Sequence, residues 1–407
     1  MNDTINMLDS VNWNFNFRNE YRSGKIHPIN CRKYFSYPAT FIPEIPYALI
    51  EILSKPGDVV LDPFGGIGTT FFQAVVQMRQ SISFDNNYVA SEINKSLFRL
   101  INPEIDLSNY KQRIMDFCND YDDTKKYSLQ LKGLRKELKD WYAPNTYNQV
   151  SYLILKFDEV EEKLGPIEFA LFEICLADIL TTVSSQNRGW AYIADNVKPK
   201  KDDLREKPAI ERFVFCLKRI VDDFTSYKII LGEEFEKFYK KQASHESVYN
   251  VDFVNVDITS NDSVDLVVTS PPYPKMIDYV KSQRLVYYLF DRAYDENLDK
   301  EIGARYYRNK KDCLDKYLES MKKCNDKLFR SLKEGGILCY ILPDYSDEAR
   351  NKERKEIIEE VVQDCLSRGF REKHIIERYI PGTKRANNMK WASLKNEKIC
   401  IFEKVMK

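Results

Sequence analysis

Residues 58–70 read DVVLDPFGGIGTT and join a buried strand to a glycine-rich turn. The run Asp58-Val59-Val60-Leu61 is short and mostly apolar, which is typical of a strand covered on both faces. Gly66 and Gly68 let the backbone approach a ligand beside the start of the helix predicted from Phe71 to about residue 80. The turn is shorter than the dinucleotide pattern G-x-G-x-x-G and lacks the lysine of a phosphate-binding P-loop.

An acidic residue follows the next predicted strand. That strand covers residues 81–84 and is followed by Asp85, which lies 23 residues after Asp62. A carboxylate at this place in an α/β unit is suited to bind ribose hydroxyls. A tight strand-to-helix turn without a ligand is the alternative, and the glycine loop alone does not decide between them. With Asp85 in place we favour a cofactor site.

The segment Thr269-Ser270-Pro271-Pro272-Tyr273 directly follows an apolar strand predicted over residues 264–268. Its two prolines remove backbone donors, while their carbonyl groups remain acceptors. Ligand sites of open α/β sheets lie at the carboxyl ends of such strands. Acceptors beside an aromatic ring suit a flat group with an exocyclic amine, such as a nucleobase. An ordinary strand that ends in prolines would explain Pro271 and Pro272. It would not explain why a serine precedes them and a tyrosine follows them directly after the strand.

Together, DPFGGIGTT and TSPPY resemble the cofactor and catalytic motifs of S-adenosylmethionine-dependent amino-methyltransferases that act on DNA. Residues 37–43, YPATFIP, resemble the motif that precedes the glycine loop in many of these enzymes and closes over the methionine end of the cofactor. The resemblance covers roughly residues 30–95 and 250–407, about 224 residues. Two positions depart from it, because relatives often have Cys in place of Gly65 and Lys in place of Thr40.

The resemblance implies a role for each matching residue. A cofactor pocket would be formed by Tyr37, Thr40, Asp62, Phe64, Gly66, Gly68 and Thr69, with Thr69 near the methionine carboxylate. Asp85 would bind the ribose, and Asp257, at the end of the strand predicted over residues 251–257, would lie near the adenine. In the catalytic segment Ser270-Pro271-Pro272-Tyr273, the serine and the Pro271 carbonyl would accept hydrogen bonds from the target amine, and the tyrosine would stack on the flipped base.

The residue types also suit the chemistry. An exocyclic amine is a poor nucleophile, and most of the rate comes from aligning amine, methyl group and sulfonium, so neither a strong base nor a metal is required. A base within a duplex must be flipped out to reach such a pocket. In the family, SPPY is more often associated with cytosine N4, whereas an acidic first residue is usual for adenine N6. Ser270 is a neutral donor and acceptor, so we favour cytosine N4 and keep adenine N6 as the alternative.

The sequence predicts an α/β fold, a doubly wound Rossmann-like methyltransferase sheet with a large, mainly helical inserted domain. Strand patterns recur at 337–342, 373–379 and 398–402, with helices at about 312–333 and 352–368 between them. The expected organisation is an N-terminal lead (1–29), a first catalytic part with the cofactor loop (30–95), a helical insertion (96–249) and a second catalytic part with SPPY (250–407).

Long segments between the two motifs commonly carry target recognition in the family. Lysines take phosphates, and Gln, Asn and Arg read base edges. Within the insertion, the candidate contacts lie in residues 184–188 and 196–201. Residues 378–395 form a second candidate surface, since they hold five cations and no acid. The expected DNA contacts are Arg188, Lys198, Lys200, Lys384 and Arg385. Ordinary solvated loops remain the alternative for both segments.

Composition narrows the classes of protein. Lys+Arg and Asp+Glu each number 62, so the net charge is zero and a uniform polycation is excluded, although a local basic face is not. The nine cysteines form no CxxC pair and only three histidines occur, so we expect no metal site. We also expect no secretory leader, no membrane span and a cytoplasmic location.

The function favoured by the sequence is methyl transfer from S-adenosyl-L-methionine to double-stranded DNA in a restriction–modification or related defence system, with a cognate restriction endonuclease as a possible partner. An RNA or protein-side-chain methyltransferase is a second reading, since the same pocket can present an amide or a guanine amine. A third is a non-catalytic DNA-binding subunit. The complete glycine loop and SPPY segment argue against the third.

Overall fold

A computed structural model describes residues 2–15, 29–129, 133–186, 197–257, 260–345, 351–380 and 394–405 of the chain. Its seven strands are β1 (Val59–Asp62), β2 (Gln80–Phe84), β3 (Val248–Tyr249), β4 (Val264–Thr269), β5 (Leu332–Tyr345), β6 (Phe370–Tyr379) and β7 (Leu394–Lys404). Its α-helices are α1 (Asn2–Ser10), α2 (Glu44–Leu53), α3 (Thr69–Val76), α4 (Tyr88–Leu100), α5 (Leu107–Asn119), α6 (Pro144–Lys163), α7 (Pro166–Val183), α8 (Ala209–Ala243), α9 (Tyr279–Ser282), α10 (Arg284–Phe290), α11 (Tyr294–Lys300), α12 (Cys313–Ser331) and α13 (Lys352–Arg368). None of the described helices is both long enough and apolar enough to span a bilayer.

The strands form one sheet in the order β3-β2-β1-β4-β5-β7-β6. Strands β3, β2, β1, β4 and β5 run parallel, and β7 joins antiparallel to both β5 and β6. The chain moves outward from β1 to β3 and then returns to place β4 on the other side of β1. Strand order therefore reverses between β1 and β4, where open α/β sheets bind ligands beyond the carboxyl ends of the strands. The doubly wound α/β prediction is confirmed.

Alternate residues of the strands supply two hydrophobic cores, because side chains in a strand point to opposite faces. Leu61 packs on one face in a core that includes residues of α12 and α13. Val60 packs on the other face with α1, α2 and α3. The N-terminal segment belongs to this second core through Trp13, whose indole donates to the Leu8 carbonyl at 2.9 Å. The predicted N-terminal lead is thus packed against the sheet.

The helical segment between β2 and β3 is as predicted, but it shares a core with helices of the sheet. Buried residues of α6, α7 and α8 form one cluster with α3, α4 and α10. Helix α4 crosses the predicted domain boundary at residue 95. Near the end of α8, the Gln242 side chain exchanges two hydrogen bonds with the backbone of Ser81 in β2, at 3.1 and 2.8 Å. The segment therefore continues the helical layer beside β2.

The strand predicted over residues 251–257 is wrong. Strand β3 ends at Tyr249, and a short 3-10 helix, Phe253–Asn255, follows. The Asp252 carboxylate accepts a hydrogen bond from the backbone N–H of Val254 at 3.2 Å and begins this turn. Short acidic side chains that bind the following backbone favour turns over strands. This local contact overrides the alternating pattern of the sequence.

Candidate cofactor and base pocket

A cavity lies beyond the carboxyl ends of β1, β2 and β4, and its free space, including the part open to solvent, is about 820 Å³. Segments far apart in the chain meet there, because the strand order reverses at this edge. Eight residues predicted from the sequence line it, namely Tyr37, Thr40, Phe64, Gly66, Thr69, Asp85, Ser270 and Pro272. The glycine turn and the proline segment therefore share one cavity.

Asp62 braces the glycine turn from within the protein and does not line the cavity. Its Oδ1 accepts hydrogen bonds from the Thr269 hydroxyl at 2.6 Å and from the backbone N–H of Phe64 at 3.1 Å. Burial raises its pKa to about 6, while these hydrogen bonds lower it. Asp62 thus joins the end of β1 to the end of β4, which fixes the two motifs relative to each other.

The glycines are required by the shape of the turn. Gly66 and Gly68 have φ of 51° and 91°, in the left-handed region that disfavours side chains. At Gly65 a Cβ atom would lie 1.9 Å from Ser83 Oγ, so the cysteine common in relatives would require the Ser83 side chain to move. The backbone of the turn is therefore brought close to β2 and exposed to the cavity.

Asp85 faces the cavity from the end of β2. Its Oδ2 accepts a hydrogen bond from the N–H of Gly66 and its Oδ1 one from the N–H of Asn87, both at 2.8 Å. Burial raises the pKa of Asp85 to about 6. A carboxylate oxygen has more than one lone pair, so both oxygens keep acceptor capacity for a ligand hydroxyl.

Tyr37 lies over the glycine turn. Its ring stacks on Tyr279 with 5.8 Å between centroids, and a Cβ atom at Gly66 would lie 3.6 Å from Tyr37 Cε1. The Thr40 hydroxyl donates to the Tyr37 carbonyl at 3.0 Å, which closes the loop that carries the ring. The upstream motif and the helix after SPPY therefore form one wall of the cavity.

The proline segment contributes unequally to the cavity. Ser270 and Pro272 line it, whereas Pro271 is buried. The Tyr273 ring packs against the core beneath α12 and α13, and its hydroxyl donates to Glu397 Oε1 at 3.0 Å. Its ring is partly buried, and its stacking on a base stays a prediction.

Asp257 is not at the cavity, because the strand predicted to carry it is absent. Its side chain is 93% exposed and lies 3.7 Å from the Lys327 ammonium. Asp252 lines the cavity instead, next to Phe253. Both acids occur in the same short stretch of sequence, and the length of β3 alone decides which one reaches the cavity.

Sequence reasoning also missed Glu301. This residue lines the cavity, and its carboxylate accepts hydrogen bonds from the N–H groups of Tyr279 at 2.6 Å and Val280 at 3.3 Å. Burial raises its pKa to about 8. It lies in a stretch of mixed charge with no recognisable motif, so only tertiary structure brings it to the cavity.

The predicted DNA contacts are only partly described. Lys198 is neutralised, because its ammonium lies 2.8 Å from Glu137 Oε2 and 2.7 Å from Asp140 Oδ2, and these partners raise its pKa. Lys200 is exposed just before the 3-10 helix Lys201–Asp203. Three further predicted contacts lie outside the described residues, namely Arg188, Lys384 and Arg385.

Arg378 is not part of a free basic surface, contrary to the expectation for residues 378–395. It is 5% exposed and pairs with Glu397, its cross-strand neighbour on β7. The sequence signal was misleading here because the acid that neutralises Arg378 lies 19 residues later, beyond the run of cations.

Known proteins resemble this chain in sequence. The model of a DNA methylase family of the N6/N4 type matches residues 6–101. Type II methyltransferase M.MjaII of Methanocaldococcus jannaschii is 24% identical over 362 residues, covering 70% of this chain and 66% of that protein. Type II methyltransferase M.MjaI of the same organism is 43% identical over 91 residues, 22% of this chain and 26% of that protein. The chain thus spans just under two thirds of the first relative and about a quarter of the second.

Among solved structures, a Thermus thermophilus protein described as a DNA modification methylase in complex with S-adenosyl-L-methionine aligns with 37% of this chain and 49% of its own. The identity is 18% and the TM-score 0.22. The family match covers the upstream motif and the glycine turn, and together with the relatives in sequence it confirms the resemblance.

Proposed function

On the premise that this chain is a relative of the DNA amino-methyltransferases, we propose that it transfers a methyl group from S-adenosyl-L-methionine to an exocyclic amine of double-stranded DNA. The observation that carries the proposal is the shared cavity, in which the glycine turn and Asp85 face Ser270 and Pro272. A cofactor site and an amine-accepting segment in one cavity are what direct transfer between the two groups requires.

The described residues fit the cofactor. Its ribose hydroxyls need acceptors, and Asp85 offers a carboxylate held by two backbone N–H groups. Its methionine end needs a close backbone approach, which the left-handed glycines of the turn supply. Asp252, beside Phe253, replaces Asp257 as the residue we assign to the adenine. When bound, the cofactor would supply an electrophilic methyl group on sulfur.

The catalytic step assigned to this chain is alignment. Ser270 and the Pro271 carbonyl would accept hydrogen bonds from the target amine and hold its lone pair toward the methyl group. Flipping a base from the duplex costs a few kcal/mol, which contacts in the pocket must offset. The amine loses its proton only after transfer, so no strong base is required.

The target that we propose is the N4 amine of cytosine. The first residue of the proline segment is Ser270, and its hydroxyl both donates and accepts. It can therefore accept from the amine or donate to the neighbouring ring nitrogen of cytosine.

Since relatives are described as type II methyltransferases, we also propose a restriction–modification role with a cognate endonuclease. The nine cysteines are buried and free of disulfides, which suits a cytoplasmic protein.

The test is transfer of a labelled methyl group from the cofactor to duplex DNA, with structured RNA as the comparison acceptor. We expect label in DNA only, and we expect it to be lost in Ser270→Ala and Tyr273→Ala. Transfer that is unchanged in both variants would show that the catalytic segment is wrongly assigned. Label in RNA alone would replace the proposed substrate, and cofactor binding in calorimetry without transfer to any acceptor would favour a non-catalytic subunit.

A further inference from the structure

The hydroxyl of Tyr273 begins a chain of buried polar contacts behind the proline segment. It donates to Glu397 Oε1, with 3.0 Å between the two oxygens. The other carboxylate oxygen of Glu397 pairs with the guanidinium of Arg378, its cross-strand neighbour on β6. Arg378 Nε in turn donates to the carbonyl of Trp13 at 3.2 Å. The chain of contacts ties the proline segment to the antiparallel edge of the sheet and to the N-terminal segment.

Stability alone does not account for this ion pair. The side chains of Arg378 and Glu397 are only 4% and 11% exposed. Removing two charges from water is costly, and apolar side chains of similar size often fill such a place without loss of stability. The pair contacts a tyrosine hydroxyl on one side and a backbone carbonyl on the other. Holding these two groups in place explains the buried pair better than stability does.

The same two strands carry a second pair that serves as a reference. Arg371 on β6 and Glu403 on β7 are also cross-strand neighbours and also form an ion pair. The Arg371 side chain is 57% exposed, and the pair lies at the other end of the strands. The two pairs thus share residue types and strands and are both cross-strand neighbours, and they differ in burial and in contact with Tyr273.

We propose that Glu397 and Arg378 are positioning residues that fix the Tyr273 ring and the direction of its hydroxyl proton for methyl transfer, an inference that rests on the proposed function. Tyrosine has one hydroxyl proton, and the charged Glu397 acceptor binds it more strongly than a neutral acceptor would. The hydroxyl therefore points toward Glu397 and the Ile341 carbonyl, which lies 3.5 Å away, and the ring is held in one orientation.

The held ring ends the segment whose Ser270 and Pro272 line the cavity. Burial and the Glu397 carboxylate raise the pKa of Tyr273 well above its ordinary value, so the hydroxyl keeps its proton and remains a donor to Glu397. A ring held in one place fixes the backbone that precedes it, and so keeps Ser270 and the Pro271 carbonyl in position for the target amine.

The test measures kcat and KM for DNA, the Kd of S-adenosyl-L-methionine and the melting temperature for Glu397→Gln, Tyr273→Phe and their double variant. Glu403→Gln is the matched control. Loss of one oriented hydrogen bond corresponds to about a tenfold fall in rate. We expect kcat to fall about tenfold in both single variants and no further in the double variant, because contacts in one network are not additive.

We expect the cofactor Kd and the KM for DNA to stay at the wild-type values, and Glu403→Gln to match the wild type. Tyr273→Phe breaks the same contact without leaving Arg378 unpaired, so it decides the matter if Glu397→Gln does not fold. Wild-type kcat in Tyr273→Phe, or full additivity of the two substitutions in the double variant, would overturn the inference and leave the proposed function standing. A wild-type protein that methylates no DNA would overturn both.

Discussion

Substituting Gly68 by alanine tests whether the glycine turn is shaped as described. Gly68 has φ of 91°, and a Cβ atom there would lie 2.4 Å from Asn94 Oδ1 and 2.7 Å from its Cγ. Asn94 is fully buried on α4, so its amide has no open space to move into. The alanine must therefore displace either α4 or the turn that faces the cofactor pocket.

Gly57 provides the matched control. It has the same φ of 91°, but a Cβ atom there would meet no atom within 4 Å. Gly57→Ala should thus cost only the left-handed conformation, about 1 to 2 kcal/mol. Gly68→Ala should cost that amount plus about 1 to 3 kcal/mol for the forced contact. The difference between the two variants isolates the packing of the turn against Asn94.

Urea unfolding measures both free energies, and calorimetric titration with S-adenosyl-L-methionine measures the effect on the pocket. We expect Gly68→Ala to be the less stable variant and to bind the cofactor weakly, and Gly57→Ala to bind it normally because Gly57 precedes β1 at the opposite end from the cavity. Equal destabilisation of the two variants, or normal cofactor affinity in Gly68→Ala, would refute the reasoning.

Three further predictions concern individual side chains. Burial raises the pKa of Asp85 to about 6, so its contribution to stability is greatest below the unfolded value of about 4 and is lost as the pH rises through about 6. Cofactor binding should follow the opposite course, since the ionised form is the better acceptor, and calorimetry should show the affinity falling below about pH 6 in the wild type but not in Asp85→Asn. Asp252→Asn should weaken cofactor binding in the same assay, whereas Asp257→Asn should not, because the Asp257 side chain is 93% exposed; equal effects would reverse our reassignment. Lys198→Met should leave DNA affinity unchanged in fluorescence anisotropy, because Glu137 and Asp140 already neutralise the ammonium, and a marked loss of affinity would restore Lys198 as a phosphate contact.

The parts of the fold that could be predicted from sequence depend on local signals. The apolar run of β1, the glycines after it and the proline segment after β4 each have a physical cause within a few residues. Their meeting in one cavity follows from the general rule for parallel strands. The alternating patterns also located β6 and β7, although the strands extend further than predicted.

The missed features depend on contacts between distant residues. Arg378 resembled a surface cation because Glu397 lies on another strand. Asp257 resembled the end of a strand because the alternating pattern of residues 251–257 favours a strand. The turn that Asp252 begins overrides this pattern. Glu301 reaches the cavity only through the packing of α9 and the segment after α11. In each case the position of the residue depends either on a contact with a residue distant in sequence or on a local turn that competes with the predicted strand.

The inserted helical domain shows the same limit. Its helical character follows from the spacing of apolar residues, such as Leu153 and Phe157 on α6. The sequence does not show that these faces pack against α7 and α8 in a core shared with α4. An apolar helix face indicates burial, but the sequence does not identify which helix covers it.

Nucleoside analysis of duplex DNA, incubated with the protein and labelled S-adenosyl-L-methionine, tests the central claim most directly. We predict label in N4-methylcytosine with the wild-type protein and none with Ser270→Ala. Label in N6-methyladenine would contradict the choice of base, and the absence of any methylated nucleoside in DNA would contradict the proposed function itself.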